Sequence, residues 1–125
     1  MAKSTLFVNI FMNRTTSDVL FAGLPVLTCP GGAMHSRVAG SLLHAIGLQE
    51  MIAGSLAEYE ELAIKLASDA ALLADIMSRL RANKDTYPLF NTVKFCRNLE
   101  SAYTSMWDKC QRGVGVDSFI VREVK

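Results

Sequence analysis

Hydrophobic and polar positions follow two regimes along the chain. Up to about residue 53, short apolar runs rich in strand formers are separated by polar turns and helical segments; beyond it only the 3.6-residue period of a helix remains. "LFVNIF" (6–11) and "PVLTC" (25–29) read as buried strands, with Pro25 tolerated at a strand's first position. Between them, residues 17–22 make a short helix, capped by Ser17 or a neighbouring threonine and ended by Gly23. After Pro30-Gly31-Gly32, a helix is predicted over 34–46, with Val38, Leu42, Leu43, Ala45 and Ile46 on one face and Gly47 closing it. "QEMIA" (49–53) is predicted as a third, weaker strand.

In the second regime, Ser55 and Glu58 have the spacing of a capping box, each side chain able to satisfy an orphan amide of the helix start. Leu56, Tyr59, Leu62, Ala63 and Leu66 then line one face. Ser68-Asp69 breaks this helix and caps the next, whose stripe is Leu72, Leu73, Ile76, Met77 and Leu80. "KDTYPLFN" is predicted as a loop, Tyr87 being held extended by Pro88. Asn91 caps a long last helix in which Phe95, Leu99, Ala102, Tyr103, Met106 and Cys110 share a side. Trp107 and the methionines are assigned to the core, and the tail from Gly113 is expected to be loosely held.

This order predicts an α/β fold: about three parallel strands followed by an α-helical C-terminal region. Three parallel strands make a thin sheet, because such strands need cover on both faces and neighbours at both edges. The chain therefore reads as the C-terminal half of a doubly wound domain.

Composition narrows the function. The 125 residues suffice for one domain, and half of them are apolar, enough for a core. A net charge of +1, with both signs interspersed, lacks the basic patch of a nucleic-acid or anionic-membrane binder. No apolar run approaches the roughly 20 residues of a membrane span, and the first residues lack the long apolar stretch of a signal peptide. Cys29, Cys96 and Cys110 are odd in number and widely spaced, which predicts free thiols in a reducing cytoplasm rather than a disulfide or zinc framework. No nucleic acid, membrane or metal is expected as a partner.

The candidate chemistry sits at the carboxyl ends of the first two strands, where ligands of open parallel sheets bind. Thr15, Thr16, Ser17 and Asp18 combine backbone amides, hydroxyls and the positive end of a helix, a setting that suits a diphosphate. Asp18 could accept both hydroxyls of a ribose. Arg14 could balance a phosphate or be a solvated loop residue. Gly31 and Gly32 would let a ligand approach the backbone. The same residues are also the ordinary material of caps and turns, and they match neither G-x-G-x-x-G nor Walker A. Arg37 reads as structural, His35 and His44 are spaced too far apart for a shared metal, and no D-x-D pair occurs.

The segments "SDVLFAGLPVLTCPGGAMHSRVAGSLLHAIGL", "EYEELAIKLASD", "PLFNTVKF" and "LESAYTSMW" resemble, in order, the C-terminal end of the protein O-GlcNAc transferase family. The resemblance implies a Rossmann-like GT-B fold, of which residues 1–112 would be part of the UDP-binding domain and 113–125 a tail. It implies inverting, metal-independent transfer of N-acetylglucosamine from UDP-GlcNAc to Ser or Thr of intracellular proteins, with no cofactor beyond that donor. Carried over, Thr15 and Thr16 become diphosphate contacts and Asp18 the ribose contact. Arg14 stands where the family has a histidine, and Gly32 where it has an acidic residue. The stretches that bear the family's catalytic histidine and lysine have no counterpart, so no catalytic residue is assigned and the isolated chain is expected to be inactive. Partners implied are a UDP-sugar and a protein acceptor or a chain supplying the missing half-domain. The alternative is a non-catalytic nucleotide-binding or protein-interaction remnant.

Overall fold

Two parallel strands of two residues each, Phe7–Val8 (β1) and Val26–Leu27 (β2), form the sheet in the computed structural model, which describes residues 7–8 and 14–121. Their register pairs Phe7 with Val26 and Val8 with Leu27. The rest of the first predicted strand lies outside the described residues. Helix α1 (Arg14–Phe21) connects the two strands, α2 (Met34–Ile46) follows β2, and α3 (Leu56–Ser68), α4 (Ala70–Thr86) and α5 (Thr92–Gln111) complete the order.

The predicted third strand does not form among the described residues. Gln49–Met51 is a 3₁₀ turn, tightened by bonds from Met51 N–H to Leu48 O at 3.1 Å and from Ile52 N–H to Gln49 O at 3.0 Å. Only one parallel bridge, Thr28 to Ile52, remains of the expected pairing; Thr28 donates to Met51 O at 3.0 Å and accepts from Ala53 N–H at 2.8 Å. The reason is that pairing from the neighbouring strand stops at Thr28. Gln49 and Glu50 are exposed and unbranched, so nothing holds them extended against a turn that Leu48, anchored to α2, has already begun.

Helices α1 and α2 end in the same way. Gly23 and Gly47 adopt φ of +83° and +76°, and the residue after each donates back five positions, Leu24 to Val19 O at 3.1 Å and Leu48 to Leu43 O at 2.9 Å. This is the Schellman closure, which needs a residue free of left-handed strain. At the helix starts, Ser55 Oγ accepts from Glu58 N–H at 3.2 Å, while Glu58 Oε2 accepts from Gly54 N–H at 2.7 Å, one residue earlier than the reciprocal box predicts. Asp69 Oδ1 caps α4 at Leu72 N–H, and Asn91 Oδ1 caps α5 at Lys94 N–H, both at 2.9 Å. Helix α4 runs on to Thr86, absorbing the start of the predicted loop, and Pro88–Phe90 is a 3₁₀ turn.

The apolar faces of α2, α3 and α4 converge on β2: Leu27, Leu43, Ile46, Leu48, Leu66 and Leu80 are buried together. Asn83 Nδ2 donates to Ile46 O at 2.8 Å, tying α4 to the end of α2. Helix α5 departs from expectation. It has no buried residue, and Trp107, assigned to the core from the sequence, is 64% exposed. Met34 and Met106 are exposed as well, whereas Met51 is buried as predicted. The amphipathic pattern formed the helix, but its apolar side is not the side turned to the core.

Candidate functional site

Because β1 and β2 are parallel neighbours, the chain leaves both on the same edge of the sheet, β1 toward α1 and β2 toward the turn at Pro30. That edge is where helix N-termini and glycine turns gather in such sheets. Helix α1 begins at Arg14, three residues earlier than the sequence predicts, so Thr15 to Asp18 lie inside its first turns rather than in a loop ahead of it. The earlier start follows from tertiary contact: Thr16 is fully buried, and a residue so enclosed is held helical despite a modest propensity. Thr15 and Ser17 are half-buried and Asp18 is exposed. The Arg14 side chain lies outside the described residues.

The second loop is built differently from the sequence reading of two permissive glycines. Ser36, buried in the first turn of α2, accepts from Gly31 N–H at 3.0 Å and donates to Ala33 O at 2.6 Å. Arg37 Nε donates to Gly31 O at 3.4 Å. The Gly31 peptide is thus pinned on both sides by α2, and its amide already has a partner. A β-carbon on Gly31 would stand 3.1 Å from Ser36 Oγ, whereas one on Gly32 would meet nothing within 4 Å. The glycine at 31 answers to Ser36, and the site at 32 is open. Ala33, the N-cap of α2, makes no side-chain cap, so the first amides of α2 receive no oxygen from that side chain.

Beside this turn lies a cleft of about 330 Å³ lined by Pro30, Gly31, Arg37, Ser41, His44 and Ile52, with Gly40 in its wall. Arg37, Ser41 and His44 stand at i, i+4 and i+7 on α2, a shared face that the sequence carries openly. From sequence Arg37 reads as structural and His44 only as too far from His35 for a shared metal; the signal that joins the two is helical spacing. The Tyr59 hydroxyl is buried and finds no hydrogen-bond partner among the described residues. Burial pushes its phenol above the ordinary value of 10.0, and the charge of nearby Cys29 adds to the shift. Among the described residues no group of His, Cys, Asp or Glu is arranged to hold a metal ion, and no helix is long and apolar enough to cross a membrane. Cys29, Cys96 and Cys110 are free.

The chain is similar to known proteins in sequence and in fold. The family model for glycosyl transferase family 41 matches residues 6–99. A probable UDP-N-acetylglucosamine–peptide N-acetylglucosaminyltransferase, SEC of Arabidopsis thaliana, is 47% identical over 97 residues, covering 77% of this chain and 10% of that protein. The UDP-N-acetylglucosamine–peptide N-acetylglucosaminyltransferase of Caenorhabditis elegans is 32% identical over 105 residues, 84% of this chain and 9% of that one. Among solved structures, a mutant O-GlcNAc transferase of Thermobaculum terrenum superimposes with a TM-score of 0.70 at 37% identity, over 79% of this chain and 19% of its own. The chain thus spans about a tenth of the length of the curated relatives it matches.

Proposed function

The chain belongs to glycosyl transferase family 41, and we propose that it supplies part of the nucleotide-sugar seat of a UDP-GlcNAc-dependent protein glycosyltransferase of GT-B fold. The observation that carries this reading is the shared sheet edge: the start of α1 and the pinned Gly31 turn leave adjacent parallel strands on one side. The relatives, UDP-N-acetylglucosamine–peptide N-acetylglucosaminyltransferases by name, suggest the donor and the acceptor class.

In this reading the first-turn amides of α1 and the Thr15 hydroxyl hold the diphosphate, and Asp18, exposed one turn on, takes the ribose hydroxyls. Thr16, being enclosed, contributes by holding the turn in place. The open Gly32 site leaves room for the anion to approach the backbone, and Arg14, by its charge, is the residue assigned to balance it. The positive end of α1 favours the charge that builds on UDP as the sugar leaves, which is leaving-group stabilisation and one component of catalysis. The groups that activate an acceptor hydroxyl are assigned to no residue here, so the chain alone binds and does not turn over. The three free thiols suit a reducing cytoplasm.

Calorimetric titration of the 125-residue protein with UDP tests the seat. Asp18→Ala is expected to weaken binding at least about tenfold, the worth of a charge-assisted hydrogen bond. Equal affinity of the two proteins refutes the ribose contact, and transfer of GlcNAc to a peptide by the purified chain refutes the assignment of a partial site.

A further inference from the structure

Buried polar residues gather at one edge of this fold. Among the described residues they are Thr16, Thr28 and Ser36, at 0, 1 and 8% exposure. Thr16 stands at the start of α1, Thr28 just past β2 and Ser36 in the first turn of α2, each where the chain leaves a strand or enters the helix that follows it. The cluster that fills the remaining interior is apolar apart from the Tyr59 phenol. A buried polar group costs free energy unless it is hydrogen-bonded, so the bonds of such a group are informative. Thr28 bonds Met51 and Ala53 through its backbone. Ser36 uses its hydroxyl. Its donation to Ala33 O at 2.6 Å is the ordinary habit of a serine inside a helix. Its acceptance of Gly31 N–H at 3.0 Å is different: it reaches out of the helix, five residues back, to the turn.

We propose that Ser36 is a positioning residue of the UDP seat proposed above, on which this inference rests: its hydroxyl fixes the Gly31 peptide, and through it the Gly32 backbone, in the shape that receives the nucleotide. The turn has little else to hold it. Gly31, Gly32 and Ala33 are exposed, two of the three are the residue with the most backbone freedom to lose, and Ala33 gives no side-chain cap. Arg37 Nε does reach Gly31 O, but at 3.4 Å and in solvent, where water competes for both partners. The weight of the restraint therefore falls on the buried Ser36. A ligand that meets a turn already ordered is spared the cost of ordering it. Without the Ser36 oxygen the Gly31 amide is left to water, and that cost passes to the binding of UDP. The missing side chain at 31 belongs to the same device. A β-carbon there would stand 3.1 Å from Ser36 Oγ and 3.6 Å from its Cβ, so only the hydroxyl is crowded. Ser36 touches no ligand in this scheme and acts solely through the peptide it holds.

Calorimetric titration with UDP of the 125-residue protein and four variants separates positioning from a loss of stability. Asp69→Ala removes the cap of α4 and is expected to bind UDP as the parent does, although it melts earlier. Ser36→Ala is expected to bind at least about fivefold more weakly, the worth of one hydrogen bond, with an unchanged circular-dichroism spectrum and faster solvent exchange of the Gly31 amide. Gly31→Ala is expected to weaken binding too, but to add nothing in the Ser36→Ala background, where its β-carbon meets only the remaining Cβ at an ordinary 3.6 Å. Unchanged affinity of Ser36→Ala, an equal loss in Asp69→Ala, or independent effects at positions 31 and 36 overturns the positioning role. A parent protein that does not bind UDP overturns the seat and this role together. Binding that falls with Asp18→Ala and not with Ser36→Ala leaves the seat standing and overturns the role alone.

Discussion

The ring of Tyr87 occupies the space that a β-carbon on Gly47 would fill, with Cδ1 at 2.9 Å from that position and Cε1 and Cζ nearer still. Two constraints therefore coincide on one residue: left-handed backbone at the end of α2 and close approach of a ring from the end of α4. Gly47→Ala is expected to lose about 3 kcal/mol, combining left-handed strain with displacement of the ring. Urea unfolding followed by circular dichroism measures it. Adding Tyr87→Ala is expected to recover the steric part and leave the backbone part, so the two substitutions should be non-additive.

The two glycines of the turn after β2 are expected to behave differently. Ser36 Oγ is held by two hydrogen bonds and cannot withdraw from a β-carbon at position 31, so Gly31→Ala is expected to cost about 1 kcal/mol. Gly32→Ala meets nothing and has no positive φ to relieve; it is expected to be neutral or to stabilise by up to about 1 kcal/mol through the unfolded chain. Thermal melts of the pair decide whether the turn answers to Ser36.

Tyr59 carries a pH signature. Its hydroxyl is buried with no partner among the described residues, so Tyr59→Phe is expected to stabilise the protein by about 1 kcal/mol at neutral pH. Because burial, and then Cys29, raise the phenol's pKa in the folded state, the unfolded chain loses this proton first as pH rises. The contribution is complete below the ordinary value of 10.0 and is lost as pH climbs through the folded one. Denaturation series above pH 10.0 should show a shallower decline for Tyr59→Phe than for the parent protein.

Core and cap substitutions calibrate the helical part. Leu80 is wholly buried between α4 and the core, and Leu80→Ala is expected to cost about 2–5 kcal/mol. Asp69→Ala removes the oxygen that caps α4 and is expected to cost about 1 kcal/mol. Equal effects of the two would mean that the cluster around Leu80 is far looser than its burial indicates.

Much of this architecture was legible from residue order, and what was legible is local. The limits of α2 and α3, the caps at Ser55, Asp69 and Asn91, and the closures at Gly23 and Gly47 depend on side chains bonding to amides three or four positions away or on one residue's backbone freedom. The buried stripe of Leu73, Ile76 and Leu80 follows likewise from helical period. Family membership was readable for the same reason, since it rests on ordered segments of the chain.

Tertiary structure alone decided the remainder. Whether residues 49–53 extend depends on how far the chain at β2 offers partners, and among the described residues Thr28, just past β2, is the one that bridges to them. Thr16 is enclosed, and α1 starts early, because of what packs on that turn from elsewhere in the chain. Arg37, Ser41 and His44 share a face by spacing, but only the approach of Ile52 and the Gly31 turn makes that face a cleft. Helix α5 shows the division most plainly. Its sequence determines an amphipathic helix, yet which side is covered depends on the free energy of contacts with distant groups, and no periodicity encodes whether those groups belong to this molecule or to a neighbour.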